Sequence, residues 1–246
     1  MHYQYKVKSP QKVKQGLAFL KSHQVQGIYE FQEGNSIIIG GFVDELPLAP
    51  FFMELLLIDE GKINWDEQWD TKIVNISIGQ KNFLLESGPG FGDANHPTTQ
   101  LCLKALEVMK PEAIIDIGSG SGILSIAATV LGAHNVISIE IDDNAISHHK
   151  NNLKLNNLKE NPIKKFISSE DLDTPNQVII MNMILSEQKI VLSEIPEILK
   201  RKKNWYVSGI LREGIKDATI EYQKLGFSIL RIDHLEKWSG LLMEKS

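Results

Sequence analysis

The sequence predicts an α/β protein in which a doubly wound parallel sheet follows a small N-terminal α+β domain. From about residue 79 onward, short apolar runs typical of buried strands alternate with segments whose apolar residues recur at helical spacing. Such alternation indicates parallel βαβ units. The first 60 or so residues instead follow the order strand, helix, hairpin and helix. We therefore predict an N-terminal α+β module at 1–62, a linker at 63–78 and the sheet domain at 79–246.

The composition is that of a soluble globular protein. Of the 246 residues, 42% are hydrophobic and 23% are charged, and the formal net charge is −5. This charge argues against a general nucleic-acid binder. The start of the chain lacks the apolar core of a signal peptide, and no run of about 18 apolar residues occurs. Cys102 is the single cysteine, so we expect a buried thiol and no disulfide. Together these features predict a cytoplasmic protein without a membrane segment.

The N-terminal module is predicted to contain four elements. Ser9 and Pro10 supply a cap and a first turn for a helix. Two apolar segments on either side of EGNS indicate a hairpin. In order, we predict a strand at 4–8, a helix ending near Ser22, hairpin strands at 27–31 and 37–42, and a second helix over PFFMELLLI (50–58).

In the sheet domain, strands and helices are predicted to alternate up to a final pair of strands. TTQLCLKALEVMK (98–110) has apolar residues at helical spacing, and AIIDIG (113–118) is a short apolar run. The last two strands are expected to close the sheet as a hairpin-like pair. The remaining predicted strands lie at 135–142, 177–182, 205–210, 227–233 and 238–245, and the helices at 121–133, 144–157, up to about Lys200 and from about Glu213.

The glycine-rich loop after residues 113–118 is the most specific local motif. IIDIGSGSG places Gly118, Gly120 and Gly122 at alternate positions before a helix. Glycine is needed where the backbone turns sharply and approaches a ligand without a Cβ. The third glycine comes one residue too early for the dinucleotide pattern G-x-G-x-x-G. The pattern acid-x-G-x-G-x-G instead resembles motif I of class I S-adenosylmethionine-dependent methyltransferases.

An acid 18 residues after Gly122 supports this resemblance. In that family an acid at the end of the second strand accepts hydrogen bonds from both ribose hydroxyls, and Glu140 stands at this place. A carboxylate suits vicinal hydroxyls because its two oxygens accept two donors. Asp142 is the neighbouring alternative, but we expect it to cap the next helix. Asp116 either contacts the cofactor or braces the loop backbone.

The segment FGDANHPTTQLCLKAL resembles the signature FGTGTHPTT of the bacterial methyltransferase family that modifies ribosomal protein L-eleven, the stalk-base protein of the large subunit. Other similarities to this family follow in chain order. They cover about 65–245 and comprise Trp65 and Trp69 before the catalytic domain, MNMIL (181–185), VSGIL (207–211) and LEKWSGLLMEK (235–245).

The resemblance implies that this loop closes over S-adenosylmethionine. Phe91 and Gly92 would line the pocket, and His96 and Thr99 would lie near it. The alternative is that the loop only shapes the entry to the next helix, with Pro97 in its first turn. The family signature is not kept throughout, since Asp93, Ala94 and Asn95 replace threonine, glycine and threonine.

Asn182, after a predicted strand, is the candidate catalytic residue and is also expected beside the cofactor. It would accept a hydrogen bond from the neutral amine of a lysine while the loop excludes water. Lysine amines lose their proton with a reference pKa of about 10.4, and desolvation favours the neutral form. The absence of NPPY or DPPY argues against methylation of amides or base amino groups. The structural alternative for Asn182 is a cap at the end of the strand.

The implied function is S-adenosylmethionine-dependent methylation of lysine or amino-terminal amines of the stalk-base protein. The N-terminal module would recognise this substrate, and no direct nucleic-acid contact is expected. Three rivals remain: the same chemistry on another protein, a non-catalytic module that binds S-adenosylmethionine or a ribosomal surface, and an oxidoreductase. The divergent sequence of the module favours the first of these.

His148 and His149 suggest a metal site only at first sight. Adjacent residues on a helix point about 100° apart and rarely share an ion. No cysteine or acid cluster accompanies them, so we predict no metal site and a solvated position for both. Trp65 and Trp69 lie four residues apart and are expected to anchor the linker rather than to stack on a base.

Overall fold

The computed structural model of the chain describes residues 2–23, 25–33, 36–42, 48–59, 72–88, 90–159 and 161–245. The chain divides into two compact units, Met1–Trp65 and Asp66–Ser246. Within the described ranges, every helix is too short or too polar to cross a lipid bilayer. Trp65 and Trp69 lie outside the described residues, and so does the predicted role of this pair.

The N-terminal unit contains an antiparallel sheet whose strand order is β2-β3-β1-β4. Buried apolar side chains from β1, β3, β4 and helix α1 form its core. The predicted first strand, first helix and hairpin are confirmed. The described elements are β1 (His2–Val7), α1 (Val13–Ser22) after a 3₁₀ turn at Pro10–Lys12, β2 (Gln26–Glu33), β3 (Ser36–Phe42) and β4 (Met53–Asp59).

The predicted helix at 50–58 is wrong, because residues Met53–Asp59 form strand β4. This strand pairs antiparallel with β1, from Val7↔Met53 to His2↔Asp59. A continuous apolar run of this length fits a short strand as well as a buried helix, because it carries no period of its own. The unpaired edge of β1 decides between the two, since it satisfies the backbone groups of β4.

A hairpin that the sequence analysis did not predict opens the second unit. Strands β5 (Ile73–Ile78) and β6 (Lys81–Glu86) pair antiparallel around a turn at Gly79, whose φ is +59°. Residues Ile73–Ile78 were assigned to the linker. The alternation in IVNISI, which buries Ile76 and Ile78, is the signal that predicts a half-buried strand.

The main sheet has seven strands in the order β12-β13-β11-β10-β7-β8-β9. Strands β7 to β11 are parallel, and β12 and β13 add an antiparallel pair next to β11. The doubly wound sheet and its closing hairpin are therefore confirmed. The elements are α2 (Pro97–Met109), β7 (Ala113–Ile117), α3 (Ile123–Leu131), β8 (Asn135–Ile139), α4 (Asp143–Leu155), β9 (Ile163–Lys164), β10 (Gln177–Asn182), α5 (Leu185–Glu194), β11 (Asn204–Leu211), α6 (Ile215–Lys224), β12 (Phe227–Leu235) and β13 (Trp238–Lys245).

The strand order reverses between β7 and β10. From β7 the chain builds outward through β8 and β9, and it then returns to place β10 on the other side of β7. All residues of β7 and β10 are buried, as expected for central parallel strands covered on both faces. In open parallel sheets, ligands bind in the crevice at the carboxyl ends of strands that flank such a reversal. This places the candidate site at the ends of β7, β8 and β10.

One helix is shorter than predicted. The helix expected to run to Lys200 ends at Glu194, and a 3₁₀ turn covers Pro196–Lys200. Proline lacks a backbone N–H and cannot continue an α-helical hydrogen-bond pattern, so the helix is interrupted before Pro196.

Candidate active site

The glycine loop lies directly after β7 and is built on three left-handed residues. Gly118, Gly120 and Gly122 have φ values of +73°, +54° and +83°. A Cβ on Gly120 would lie 2.1 Å from the carbonyl oxygen of Phe91. The loop therefore needs glycine both for its backbone angles and for the approach of a second loop.

Glu140 follows β8, and its half-buried carboxylate faces the glycine loop. One oxygen, Oε2, accepts from the backbone N–H of Gly120 at 2.9 Å. The other, Oε1, accepts from the N–H groups of Ile141 and Asp142 at 2.8 and 3.0 Å. An ionised carboxylate offers about four acceptor positions, so these bonds orient Glu140 and leave acceptor capacity at Oε2.

Asp142 has the capping role that the sequence predicts. Its Oδ1 accepts from the N–H groups of Asn144 and Ala145 at 2.8 and 3.4 Å, at the start of α4. One oxygen of Asp142 thus accepts from two backbone N–H groups that have no partner within the helix. Of the two acids, Glu140 is the one that contacts the glycine loop.

The loop at residues 90–96, called here the 90–96 loop, lies on the glycine loop. The N–H of Ser121 donates to the carbonyl of Phe91 at 2.8 Å, and the Ser121 hydroxyl donates to the carbonyl of Gly92 at 2.9 Å. The Phe91 side chain is 57% exposed although its backbone is fixed. An aromatic ring held in solvent at the edge of a crevice is available to cover a ligand.

His96 ends this loop and caps α2. Its Nδ1 accepts from the Thr98 N–H at 3.4 Å and lies 2.7 Å from the Thr98 hydroxyl. Its ring contacts the rings of Phe91 and Trp238, with centroids 5.4 and 5.5 Å apart. His96 therefore caps the helix entry and also contacts Phe91, while its predicted position near a bound cofactor stays a prediction.

Asn182 lies at the end of β10, beside Thr99 of α2. Its Nδ2 donates to the Thr99 hydroxyl at 3.4 Å. Its Oδ1 is buried and has no hydrogen-bond partner among the described residues. A buried amide oxygen without a partner is costly and is often completed by a ligand. The structure thus brings Asn182 and Thr99 together and leaves an acceptor free.

Gln188 fixes the turn that follows Asn182. This fully buried side chain donates to the carbonyls of Met183 and Ser208 at 2.7 and 2.9 Å, so it connects the residue after β10 to the middle of β11. The Tyr222 hydroxyl donates to its Oε1 at 2.6 Å. The Gln188 amide thus donates two hydrogen bonds and accepts one, and these bonds hold the backbone after Asn182 rigidly in place.

The carboxylate of Asp116 is hydrogen-bonded to α3, the helix that follows the glycine loop. Its Oδ2 accepts from the Ser125 hydroxyl at 2.7 Å, and that hydroxyl lies 2.7 Å from the hydroxyl of Ser138. Oδ1 is buried without a partner among the described residues. Burial raises the pKa of this carboxyl to about 6, although the Ser125 hydrogen bonds oppose the shift. The contacts of Asp116 brace α3 against β8.

The prediction that His148 and His149 are solvated is wrong, because both lie on the buried face of α4. His149 is fully buried, with Nδ1 3.0 Å from the Ser119 hydroxyl. Burial, and secondarily the charge of His148, lowers the pKa of His149 to about 4. Among the described residues, no three histidine, cysteine or acidic side chains are grouped as metal ligands.

Several polar residues at this site were not predicted. Ser121, Asn152 and Gln188 are buried and hydrogen-bonded to backbone carbonyls, and the buried Ser119 hydroxyl contacts the His149 ring. The spacing of Ala145, His148 and Asn152 on α4 is the signal that places them on one face. Cys102 is buried, as predicted.

Comparison with known proteins agrees with the geometry. The family model Ribosomal protein L11 methyltransferase (PrmA) matches residues 64–246. The chain belongs to the ribosomal protein L11 methyltransferase family. This confirms the resemblance found in the sequence.

Curated relatives carry the same family name. Those from Bacillus subtilis (strain 168) and Hydrogenovibrio crunogenus are 33% and 34% identical, over 66% and 74% of this chain and 54% and 59% of their own length. A relative from Thermoanaerobacter pseudethanolicus is 28% identical over 81% of this chain and 70% of its own. The chain thus spans about half the length of the first relatives that it matches.

Solved structures confirm the class I methyltransferase fold. The ribosomal protein L11 methylase from Lactobacillus delbrueckii subsp. bulgaricus is 30% identical, with a TM-score of 0.56, over 65% of this chain and 83% of its own. SMU.776, complexed with SAH, is 11% identical, with a TM-score of 0.52, over 78% of this chain and 59% of its own. This second likeness shows the fold alone.

Proposed function

We propose that this chain is an S-adenosylmethionine-dependent methyltransferase that acts on lysine or amino-terminal amines of ribosomal protein L11. The observation that carries the proposal is the buried, unpartnered Oδ1 of Asn182 at the switch point of the sheet. Family membership supports the reaction and the substrate, since the matched relatives are named for both. A ribosomal substrate would be met in the cytoplasm, and the proposed reaction needs no direct contact with nucleic acid or membrane.

The residues present fit the cofactor. Gly118, Gly120 and Gly122 leave the surface of the loop free of side chains, and Glu140 keeps acceptor capacity at Oε2 for a ribose hydroxyl. Phe91, Gly92, His96 and Thr99 would cover and complete the pocket. Asp116 would act from below by supporting the loop rather than by direct contact. When bound, S-adenosylmethionine supplies a methyl group already activated by a sulfonium.

The protein must then position a neutral amine in line with that methyl group. Asn182 Oδ1 would accept a hydrogen bond from the amine N–H and aim the nitrogen lone pair at the methyl carbon. The Asn182 amide stays neutral and does not favour an ammonium ion over an amine. Exclusion of water by Phe91 and the 90–96 loop lowers the cost of keeping the amine unprotonated. The bound cofactor would give up its methyl group with cleavage of its carbon–sulfur bond, and the methylated amine would lose its extra proton once solvent returns to the site.

The N-terminal module, residues 1–62, would recognise the protein substrate. It carries its own core and sheet and contributes none of the site residues described above. A separate unit for recognition leaves the catalytic unit free to present the same pocket to any amine delivered to it.

The test is transfer of radiolabelled methyl groups from S-adenosylmethionine to large-subunit proteins purified from a strain that lacks this gene. We expect label in L11 with the native chain and with Asn151→Ala, which alters an exposed position on α4. Asn182→Ala and Gly120→Arg should abolish it. Label in a different protein would refute L11 as the substrate, and cofactor binding without any transfer would refute the catalytic role.

A further inference from the structure

His148 occupies a position that the proposed reaction does not use. It lies on α4 behind the 90–96 loop and is 6% exposed. Its Nδ1 is 3.1 Å from the backbone nitrogen of Gly90, and its Nε2 is 2.8 Å from the carbonyl oxygen of Glu86. The ring therefore bridges the end of β6 and the start of the 90–96 loop.

These two backbone partners determine the tautomer of the ring. A backbone N–H can only donate, so Nδ1 must carry the lone pair that accepts from Gly90. A carbonyl can only accept, so Nε2 must carry the hydrogen and donate to Glu86. The Nδ2 of Asn152 also lies 3.1 Å from Nε2, but both atoms are donors, and Nδ2 donates instead to the Ser121 carbonyl at 3.0 Å.

The surrounding backbone packs closely around the His148 ring and the 90–96 loop. A Cβ on Gly88 would lie 2.6 Å from His148 Nε2, and a Cβ on Gly90 would lie 2.6 Å from the backbone of Gly120 and Ser121. The 90–96 loop is thus held between two surfaces, with Ser121 on one side and His148 on the other. Removing the His148 contact leaves Gly90 N–H without its buried acceptor and the loop held from the Ser121 side.

We propose that His148 is a positioning residue that seats the 90–96 loop on the glycine loop and thereby sets the affinity for the cofactor. It acts through Gly90 and does not touch the reacting groups. The inference rests on the proposed function only for the identity of the ligand. The competing role is that of an ordinary core histidine that contributes to stability alone.

Two substitutions separate these roles. In His148→Asn, the side-chain oxygen falls close to the place of Nδ1 and retains the acceptor for Gly90. In His148→Gln, the amide nitrogen falls close to the place of Nε2 and retains the donor for Glu86 but not the acceptor for Gly90. Glutamine also fills the space of histidine better, so it should be at least as stable as the asparagine variant.

The variant with the higher unfolding free energy, His148→Gln, should therefore be the one that binds the cofactor more weakly. We expect His148→Gln to bind S-adenosylhomocysteine about tenfold more weakly in calorimetry, as one lost hydrogen bond to a loop implies, and His148→Asn to stay within about threefold of the native chain. The KM for the cofactor should rise in His148→Gln while the KM for the protein substrate stays unchanged. Affinities that follow the unfolding free energies of the two variants would overturn the proposal.

Hydrogen exchange tests the contact without any ligand. In protein labelled with ¹⁵N-glycine, the Gly90 amide should exchange faster in His148→Gln than in the native chain, and at the native rate in His148→Asn. His134→Gln, which changes an exposed histidine before β8, is the matched control and should leave Gly90 unchanged. Equal Gly90 exchange in all four proteins would overturn the proposal even if L11 is methylated. If the two His148 variants show the expected affinities but no protein is methylated, the role of His148 stands and the proposed function is refuted.

A measurement on the native chain guards against variants that fail to fold. The ring nitrogens of His148, observed by ¹⁵N NMR near neutral pH, should show a hydrogen on Nε2 and a bare Nδ1. The opposite tautomer would exclude acceptance from Gly90 and would overturn the proposal without any substitution.

Discussion

The backbone N–H of Ser121 donates to the carbonyl oxygen of Phe91 at 2.8 Å, and this contact joins the two loops that form the candidate site. It is possible only because Gly120, the preceding residue, has no side chain. The carbonyl of Phe91 lies where the Cβ of any other residue at position 120 would be. The glycine pattern of one loop and the conformation of the other are therefore a single structural requirement.

Gly120→Ala should separate the two loops. A Cβ 2.1 Å from a backbone oxygen cannot be accommodated by a side-chain movement, and the φ of +54° adds strain for alanine. We expect a loss of about 1–3 kcal/mol in the free energy of unfolding and binding of S-adenosylhomocysteine at least about tenfold weaker. Calorimetry and urea unfolding measure both. Gly214→Ala is the control, since a Cβ there meets nothing within 4 Å. Equal effects of the two substitutions would contradict this reading of the loops.

Phe91→Ala should affect binding without affecting folding. The side chain is 57% exposed, and its ring contacts that of His96 with centroids 5.4 Å apart. Because little apolar surface is lost, the free energy of unfolding should change by less than about 1 kcal/mol. A ring that covers the cofactor should nevertheless matter for affinity, and we expect S-adenosylhomocysteine to bind about tenfold more weakly. Unchanged affinity in calorimetry would show that Phe91 does not close the pocket.

Local sequence patterns predict the parallel sheet well because a strand buried on both faces is apolar along most of its length. AIIDIG and QVIIMN are such strands, and the closely spaced glycines between β7 and α3 indicate a sharp turn. Fold class and the positions of the loops follow from these patterns alone. Which side chains meet at the loops depends on contacts between distant parts of the chain.

The errors have physical causes of the same kind. PFFMELLLI (50–58) is interpreted as a helix because the segment itself does not show that an edge of β1 is available for pairing. The sequence predicts solvated positions for His148 and His149 because no cysteine or acid cluster accompanies them. The burial of His148 instead depends on the backbone of Glu86 and Gly90, 62 and 58 residues away in sequence, and His149 contacts the Ser119 hydroxyl. A sequence shows the side chains of α4 but not the backbone groups that they will satisfy.

Gln188 should control the rate more than the affinity for the cofactor. Gln188→Met leaves the carbonyls of Met183 and Ser208 buried without their donor, which we expect to cost about 2–4 kcal/mol of unfolding free energy. Because Met183 directly follows Asn182, the rate of methyl transfer should fall more than the affinity for S-adenosylhomocysteine.

Tyr222→Phe is the matched control for Gln188→Met. It removes the hydroxyl that donates to Gln188 Oε1 but keeps both donors of the amide. The expected cost is about 1 kcal/mol, with a nearly native rate of transfer. Steady-state kinetics and urea unfolding of both variants provide the comparison. If Tyr222→Phe lowers the rate as much as Gln188→Met does, rigidity of the turn is not what positions Asn182.

Asp116 should make the protein less stable as the pH rises. Burial raises the pKa of this carboxyl from 3.8 to about 6, so between these values the folded protein binds more protons than the unfolded chain. Stability then falls with increasing pH across this window, and the full cost of the buried charge, about 3 kcal/mol, is present at pH 7. Asp116→Asn cannot ionise and lacks this cost.

The test is the difference in unfolding free energy between Asp116→Asn and the native chain, measured in urea from pH 4 to pH 7.5. The unfolded carboxyl is already partly ionised at pH 4, so the difference should shift by about 2.4 kcal/mol in favour of the variant over this range, whatever its value at pH 4. Ser125→Ala provides a second check. It removes the hydroxyl hydrogen bond that lowers the pKa of Asp116 but keeps the backbone one, so the decline in stability should then extend to higher pH. A difference between Asp116→Asn and the native chain that does not vary with pH would mean that folding does not raise the pKa of Asp116.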